Sequence, residues 1–117
     1  GYLARLPGAA RCVVAFRGTV NSKNWQTDAR LGMSDWPPTP QAGTPVSCPG
    51  CRVHDGFAMA YQELREEVRR LGEELRCDGL VVTGHSLGAA VATLATMDLR
   101  GGGARVDALW SFGSPRV

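Results

Sequence analysis

The chain has 117 residues, a formal net charge of +2 and a hydrophobic fraction of 44%. These values are typical of one globular domain. The small charge, with basic residues scattered among acidic ones, excludes an extended nucleic-acid-binding surface. No apolar run reaches the roughly 18 residues that a transmembrane helix needs. The chain also shows no signal peptide, and it stops on a predicted strand, so we expect it to be part of something longer.

The first segment predicts a β-hairpin over residues 2–17. Residues 2–5 form a candidate edge strand, Pro7 and Gly8 turn the chain, and the apolar residues 12–17 form an inner strand. Residues 19–52 then contain many prolines and glycines, which predicts a long loop region. Loops of this length are usually functional coverings. Within it, residues 22–28 allow one or two helical turns.

Helical periodicity is clearest from Asp55 to Arg76. Apolar residues recur there every three or four positions, at Phe57, Tyr61, Leu64, Val68, Leu71 and Leu75. Asp55 is the predicted N-cap. The opposite face carries charges that we expect to be solvated, namely Glu63, Glu66, Arg69, Arg70, Glu73 and Glu74.

A G-x-S-x-G motif, formed by Gly84, His85, Ser86, Leu87 and Gly88, follows the predicted strand at 80–84 and opens a helix that runs to about Arg100. At a strand-to-helix turn this motif holds the serine on a tight bend with its hydroxyl exposed. The helix N-terminus directs its positive end at the same place, which suits an acyl-transfer nucleophile. We therefore predict a positive φ at Ser86. The alternative is an ordinary glycine-rich turn whose serine caps the helix.

A last predicted strand covers about 105–112. The element order, two strands, a loop, then helix, strand, helix and strand, predicts an α/β fold with a mainly parallel sheet flanked by helices. The sequence contains no internal repeat.

Four motifs in this chain, VVAFRGT, CxxCRVHDGF, VVTGHSLGAA and SFGSPRV, together resemble the fungal-type (class 3) lipase family of α/β-hydrolases. They occur in that family's order and spacing across nearly the whole chain. The resemblance implies that residues 1–117 are one α/β-hydrolase domain, truncated at both ends. It further implies a secreted serine carboxylic-ester hydrolase, most simply a triacylglycerol lipase, with a lipid or other ester substrate and neither cofactor nor metal.

Ser86 would then attack the ester carbonyl and carry the acyl group. The Leu87 N–H would supply one oxyanion donor. The resemblance assigns the second to Thr19, through its N–H and hydroxyl; the alternative is a turn threonine that caps its own loop. His85 is expected to pack or hydrogen-bond beneath the turn, since adjacent side chains on a tight bend point apart. His54 is expected to belong to the scaffold. No histidine follows Ser86, so the triad acid and base are expected outside this chain.

The segment 21–36 keeps the Asn24-Trp25 pair that lipase lids carry, and the resemblance makes it a candidate lid at a lipid–water interface. Its remaining residues are largely polar, whereas a lid that opens on lipid should offer an apolar face. Two alternatives therefore stay open: a feruloyl-esterase-like hydrolase of soluble esters, and a non-catalytic lipid-binding module on the same scaffold.

Four cysteines occur. Fungal members of the family carry a disulfide in the loop that contains Cys48 and Cys51, and the resemblance implies the same pairing here. A redox motif, a metal site completed by His54, and free thiols remain alternatives. Cys12 and Cys77 each begin a predicted strand, and they could pair if those strands are neighbours. A loop disulfide would indicate a secretory or extracellular compartment.

Overall fold

The computed structural model describes residues 1–18, 32–36 and 48–117. Thr19, the Asn24-Trp25 pair and the helical turns expected at 22–28 lie outside these ranges. Six strands and two helices occupy the described ranges: β1 (Tyr2–Arg5), β2 (Arg11–Phe16), β3 (Met33–Asp35), β4 (Arg52–His54), α1 (Asp55–Glu74), β5 (Gly79–His85), α2 (Leu87–Gly101) and β6 (Val106–Phe112). No helix in this part of the chain has the length and apolarity to cross a bilayer.

The main sheet has the order β1-β2-β5-β6. β1 and β2 form the predicted antiparallel hairpin, while β2–β5 and β5–β6 are parallel pairs. The predicted α/β fold with a mainly parallel sheet is confirmed. Because Phe16 is paired with Gly84 and His85 with Phe112, the carboxyl ends of β2, β5 and β6 meet at one edge. The G-x-S-x-G turn begins at that edge.

The long loop region expected over 19–52 contains a strand that the sequence did not predict. Residues 33–35 form β3, which is antiparallel to β4 and pairs Met33 with His54 and Asp35 with Arg52. The backbone N–H of Asp55 donates to the carbonyl of Gly32 at 3.0 Å, which fixes this ribbon to the start of α1. Three-residue strands are too short to show alternation, so the sequence pattern did not reveal them.

The helix predicted from Asp55 is confirmed, but its cap is not Asp55. His54 is the N-cap, and its Nδ1 accepts a hydrogen bond from the Gly56 N–H at 3.1 Å. The Asp55 carboxylate instead accepts from the Ser34 hydroxyl of β3. The scaffold role expected for His54 therefore has a specific form, since the imidazole satisfies one of the free N–H groups of the first turn.

The charged face of α1 is only partly solvated. Arg70 pairs with Glu67 and Glu74 on the surface. Arg69, expected on that solvated face, instead reaches the carboxylate of Asp98 on α2, at 3.1 Å. Arg65 donates two further bonds to this carboxylate, at 2.9 and 3.1 Å, and the Tyr61 hydroxyl donates one at 2.8 Å. A buried carboxylate with four donors thus joins the two helices.

Both disulfides are present, and no cysteine is free. Cys48 and Cys51 pair within the loop, with their Cα atoms 5.4 Å apart. This pairing leaves no thiolates for the alternative metal site. Cys12 of β2 pairs with Cys77, just before β5, with a Cα–Cα distance of 5.6 Å. The sequence left that second pairing open, and the parallel β2–β5 register is what brings the two residues together.

Candidate active site

Ser86 lies between the last residue of β5 and the first residue of α2, with φ 54° and ψ −126°. The positive φ predicted for this residue is confirmed. Such a conformation costs a non-glycine residue roughly 1–3 kcal/mol, so the surrounding structure must enforce it. Part of that enforcement is a hydrogen bond from the Ser86 N–H to the carbonyl of Phe112 at the end of β6, at 2.9 Å.

The two motif glycines allow the bend because no side chain fits at either position. A Cβ at Gly84 would lie 2.7 Å from the backbone N of Ala89, and also against the carbonyl of Gly88. A Cβ at Gly88 would lie 2.8 Å from the carbonyl carbon of Arg17 and against Phe16. The first turn of α2 therefore packs directly on the end of β2, which is why both positions require glycine.

The Ser86 hydroxyl is not used to cap α2. The residue occupies the N-cap position, but its side chain makes no capping hydrogen bond. Its backbone carbonyl accepts from the Ala89 N–H at 2.9 Å. The alternative of an ordinary capping serine is therefore wrong. Ser86 is partly exposed.

The Leu87 N–H is the first in α2, where helix geometry provides no intrahelical acceptor. Gly18, two residues beyond the end of β2, lies beside the same turn. Gly18 lies so close that a Cβ there would be 3.4 Å from the Ser86 Cβ and 2.6 Å from the His85 carbonyl oxygen. Sequence reasoning did not select Gly18. The available signal was a glycine directly after a buried strand and directly before the expected donor, Thr19, which lies outside the described residues.

The chain has two histidines, and neither lies where it could act as a base for Ser86. His85 is exposed rather than packed beneath the turn, so that expectation is wrong. Its ring instead lies at the sheet edge, 3.6 Å from where a Cβ on Gly113 would be. His54 caps α1. Within the described residues, neither histidine is hydrogen-bonded to Ser86.

The two aspartates that follow Ser86 are both occupied by arginines. Asp98 accepts from Arg65 and Arg69 at the helix–helix contact. Burial raises the pKa of Asp98, but the hydrogen bonds from Arg65 and Tyr61 and the arginine charges outweigh burial and lower it below its ordinary value. Asp107 lies 3.3 Å from Arg11 and 2.7 Å from Arg105. Each carboxylate is thus engaged in holding the scaffold.

Residues 13–117 match the family model described as Lipase (class 3). The chain belongs to the class 3 lipase family. This class 3 lipase chain is 37% identical over 121 residues to the secreted mono- and diacylglycerol lipase A of Penicillium cyclopium, a match that covers 100% of the chain and 37% of that relative. It is 36% identical over 120 residues to the secreted mono- and diacylglycerol lipase 1 of Fusarium solani, covering 99% of the chain and 33% of the relative.

Solved structures agree with the family assignment. A mutant form of MDLA from Penicillium cyclopium has a TM-score of 0.75 at 37% identity, and the match covers 100% of this chain and 42% of that one. The mono- and diacylglycerol lipase from Aspergillus oryzae has a TM-score of 0.69 at 38% identity, and the match covers 92% of this chain and 38% of that one. The chain therefore spans about a third of the length of these curated relatives and about two fifths of the solved chains.

Proposed function

We propose that this chain carries the nucleophile and oxyanion hole of a serine carboxylic-ester hydrolase, a lipase that acts on acylglycerols. One observation supports this most strongly. Ser86 is held at positive φ at the N-terminus of α2, and its hydroxyl is not spent on capping that helix. A serine that merely ended a turn would relax its backbone or use its side chain as a cap.

In the proposed reaction, the Ser86 Oγ attacks the ester carbonyl carbon while a general base takes its proton. Collapse of the tetrahedral intermediate breaks the bond to the alcohol oxygen, which leaves with a proton and gives an acyl-serine. Water then attacks the acyl-serine, which releases the fatty acid and restores the hydroxyl. The histidine base and its carboxylate partner would come from beyond residues 1–117, since within the described residues neither histidine is hydrogen-bonded to Ser86.

The Leu87 N–H and Thr19, through its N–H and hydroxyl, would stabilise the oxyanion. The position of Gly18 beside Ser86 supports this pairing, because Thr19 is the next residue in the chain. Preorganised donors of this kind contribute roughly 3–4 kcal/mol each in well-studied cases. The positive end of α2 would add to the stabilisation of the developing negative charge.

The names of the relatives support lipid esters as substrates. Two of them are secreted mono- and diacylglycerol lipases, and another is a phospholipase A(1) of Arabidopsis thaliana, 35% identical over 123 residues. We therefore propose that this protein is secreted, that it acts on acylglycerols without a cofactor or metal, and that it has a lid containing Asn24 and Trp25. Hydrolysis of soluble aromatic esters remains the competing activity.

The test uses protein expressed from the full reading frame that contains residues 1–117. Hydrolysis of p-nitrophenyl butyrate and labelling by a fluorescent alkyl phosphonate are measured for wild type, Ser86→Ala and Ser114→Ala. Ser114 is an exposed serine beyond β6, and it reports non-specific labelling. We expect Ser86→Ala to lose labelling and at least about 1,000-fold in kcat, and Ser114→Ala to match wild type.

Unchanged turnover or labelling in a folded Ser86→Ala protein would refute the nucleophile. The substrate class is tested by comparing dioleoylglycerol emulsions with methyl ferulate. Faster hydrolysis of methyl ferulate would replace the lipase assignment by a soluble-ester esterase. Binding of acylglycerols by wild type without any turnover would favour the non-catalytic module.

A further inference from the structure

The strained torsion at Ser86 is held from both of its sides. The carbonyl of Ser86 belongs to the first turn of α2, where it accepts from the Ala89 N–H at 2.9 Å. The N–H of Ser86 donates instead to the Phe112 carbonyl at the end of β6, also at 2.9 Å. Because the N–Cα bond whose rotation defines φ lies between these two groups, losing the bond to Phe112 would let Ser86 leave φ 54° for a less costly conformation.

The side chain of Phe112 does not fix the position of its carbonyl, since 57% of Phe112 is exposed. The strand before it is well anchored. The Thr83 hydroxyl donates to the Trp110 carbonyl at 2.9 Å, and the β5–β6 register pairs His85 with Phe112. The Phe112 carbonyl belongs to the peptide group that joins Phe112 to Gly113. Its direction therefore depends on how the chain leaves β6 at Gly113.

Gly113 leaves the strand in a left-handed conformation, with φ 58°. The chain beyond it has little freedom to compensate for a change there. Pro115 has a fixed φ and restricts the residue before it to extended conformations, and Val117 packs against the hydrophobic core. Two of the three residues between Gly113 and Val117 are thus restricted, so a change in φ at Gly113 should tilt the peptide group that carries the Phe112 carbonyl.

We propose that Gly113 is a positioning residue for Ser86. Its left-handed conformation directs the Phe112 carbonyl at the Ser86 N–H and so maintains the bend that presents the hydroxyl. This inference rests on the proposed role of Ser86 as the nucleophile. Lack of space is not the reason for glycine here, because a Cβ on Gly113 would lie 3.6 Å from the His85 Nε2, an ordinary van der Waals distance. The backbone conformation is the reason.

Two substitutions separate backbone conformation from side-chain size. Asparagine is larger than alanine but adopts the left-handed region more readily. In the full-length protein we expect Gly113→Ala to lower kcat for p-nitrophenyl butyrate about tenfold, with KM changed less than about twofold. Gly113→Asn should keep kcat within about threefold of wild type. A lower kcat for Gly113→Asn than for Gly113→Ala would show that bulk decides the effect, and it would overturn the proposal.

Gly103→Ala is the matched control. Gly103 is also left-handed, with φ 85°, and a Cβ there would meet nothing within 4 Å. It follows the C-terminus of α2, whereas Ser86 precedes the N-terminus of the same helix. The substitution introduces the same kind of backbone strain away from the nucleophile, so we expect reduced stability in urea denaturation with wild-type kcat. If Gly103→Ala lost as much kcat as Gly113→Ala, the effect would reflect destabilisation alone, which would refute the positioning role.

Hydrogen exchange of the Ser86 amide reports the bond to Phe112 directly. NMR of protein containing isotope-labelled serine measures it, and the Ser86 signal is identified by its absence in Ser86→Ala. We expect exchange at least tenfold faster in Gly113→Ala than in wild type, and close to wild type in Gly103→Ala. Unchanged exchange in folded Gly113→Ala, or faster exchange with wild-type kcat, would overturn the proposal.

The exchange measurement does not use ester hydrolysis, so the two proposals fail separately. Full activity of Ser86→Ala would remove the proposed function, whatever the exchange rates are. An inactive Ser86→Ala together with wild-type kcat and exchange in Gly113→Ala would leave the nucleophile in place and remove only the role of Gly113.

Discussion

Gly18 lies directly against Ser86, although the two residues are 68 positions apart in the sequence. A Cβ at residue 18 would approach the Ser86 Cβ to 3.4 Å and the His85 carbonyl oxygen to 2.6 Å. The second distance is shorter than real Cβ contacts allow, and its partner is backbone. Any side chain at residue 18 must therefore push β2's end and the turn apart.

Gly18→Ala should reduce activity through this displacement. Because a misplacement of about 1 Å can cost roughly 100-fold in rate, we expect kcat for p-nitrophenyl butyrate to fall about 10- to 100-fold, with KM changed much less. Steady-state kinetics of the full-length protein measure both constants.

Gly72→Ala is the matched control for this substitution. Gly72 lies in α1, where a Cβ would meet nothing within 4 Å. Alanine should stabilise the helix by about 0.5–1 kcal/mol and leave kcat unchanged. A folded Gly18→Ala enzyme with wild-type kcat would show that the contact does not position the oxyanion hole.

Arg76 and Gly103 occupy the same position in two equivalent helix ends. In both, the next residue donates back into the last turn: Cys77 N–H to the Gly72 carbonyl at 3.0 Å, and Ala104 N–H to the Leu99 carbonyl at 2.9 Å. This pattern is the Schellman motif, which needs a left-handed residue. Gly103 adopts φ 85° at no steric cost, whereas Arg76 adopts φ 50° with a side chain.

Arg76→Gly should therefore stabilise the protein by about 0.5–1 kcal/mol, since relief of the left-handed strain exceeds the added entropy of the unfolded chain. Gly103→Ala should destabilise it by about 1 kcal/mol. Urea denaturation measures both changes as shifts in the transition midpoint, with the slope m unchanged. Loss of stability in Arg76→Gly would mean that the arginine side chain contributes more than its backbone strain costs.

Asp98→Asn should remove a pH-dependent part of the stability. The pKa of Asp98 is lower in the folded state than its ordinary value of 3.8, so the folded protein holds the acidic proton less tightly than the unfolded chain. The stabilisation that the ionised Asp98 carboxylate gives the folded protein is fully present above the ordinary pKa, and it is lost as the pH falls through the pKa of the folded state.

At pH 7 the substitution leaves Arg65 and Arg69 without their carboxylate, and we expect the free energy of unfolding to fall by about 2–4 kcal/mol. The difference in this free energy between Asp98→Asn and wild type should become smaller below about pH 4. Asp78→Asn, at an exposed residue before β5, should stay within about 0.5 kcal/mol of wild type. If the difference in free energy of unfolding between wild type and Asp98→Asn stayed constant from pH 7 to pH 3, the proposed link between Asp98 protonation and stability would be contradicted.

Local patterns in the sequence were sufficient to predict the main helices and strands. The periodicity of α1, the apolar strands β2 and β5, and the G-x-S-x-G turn each depend on neighbours within a few residues. The positive φ of Ser86 followed from the motif between a strand and a helix. The three-residue strands β3 and β4 escaped detection because they contain too few residues for a period.

The tertiary structure decided the contacts that join distant segments. The pairing of Cys12 with Cys77, the capture of Arg69 by Asp98, the exposure of His85 and the approach of Gly18 to Ser86 all depend on which strands are neighbours and in what register. A sequence read locally specifies propensities over about one helical turn. Steric exclusion and charge burial between segments are properties of the packed chain, so only the folded arrangement reveals them.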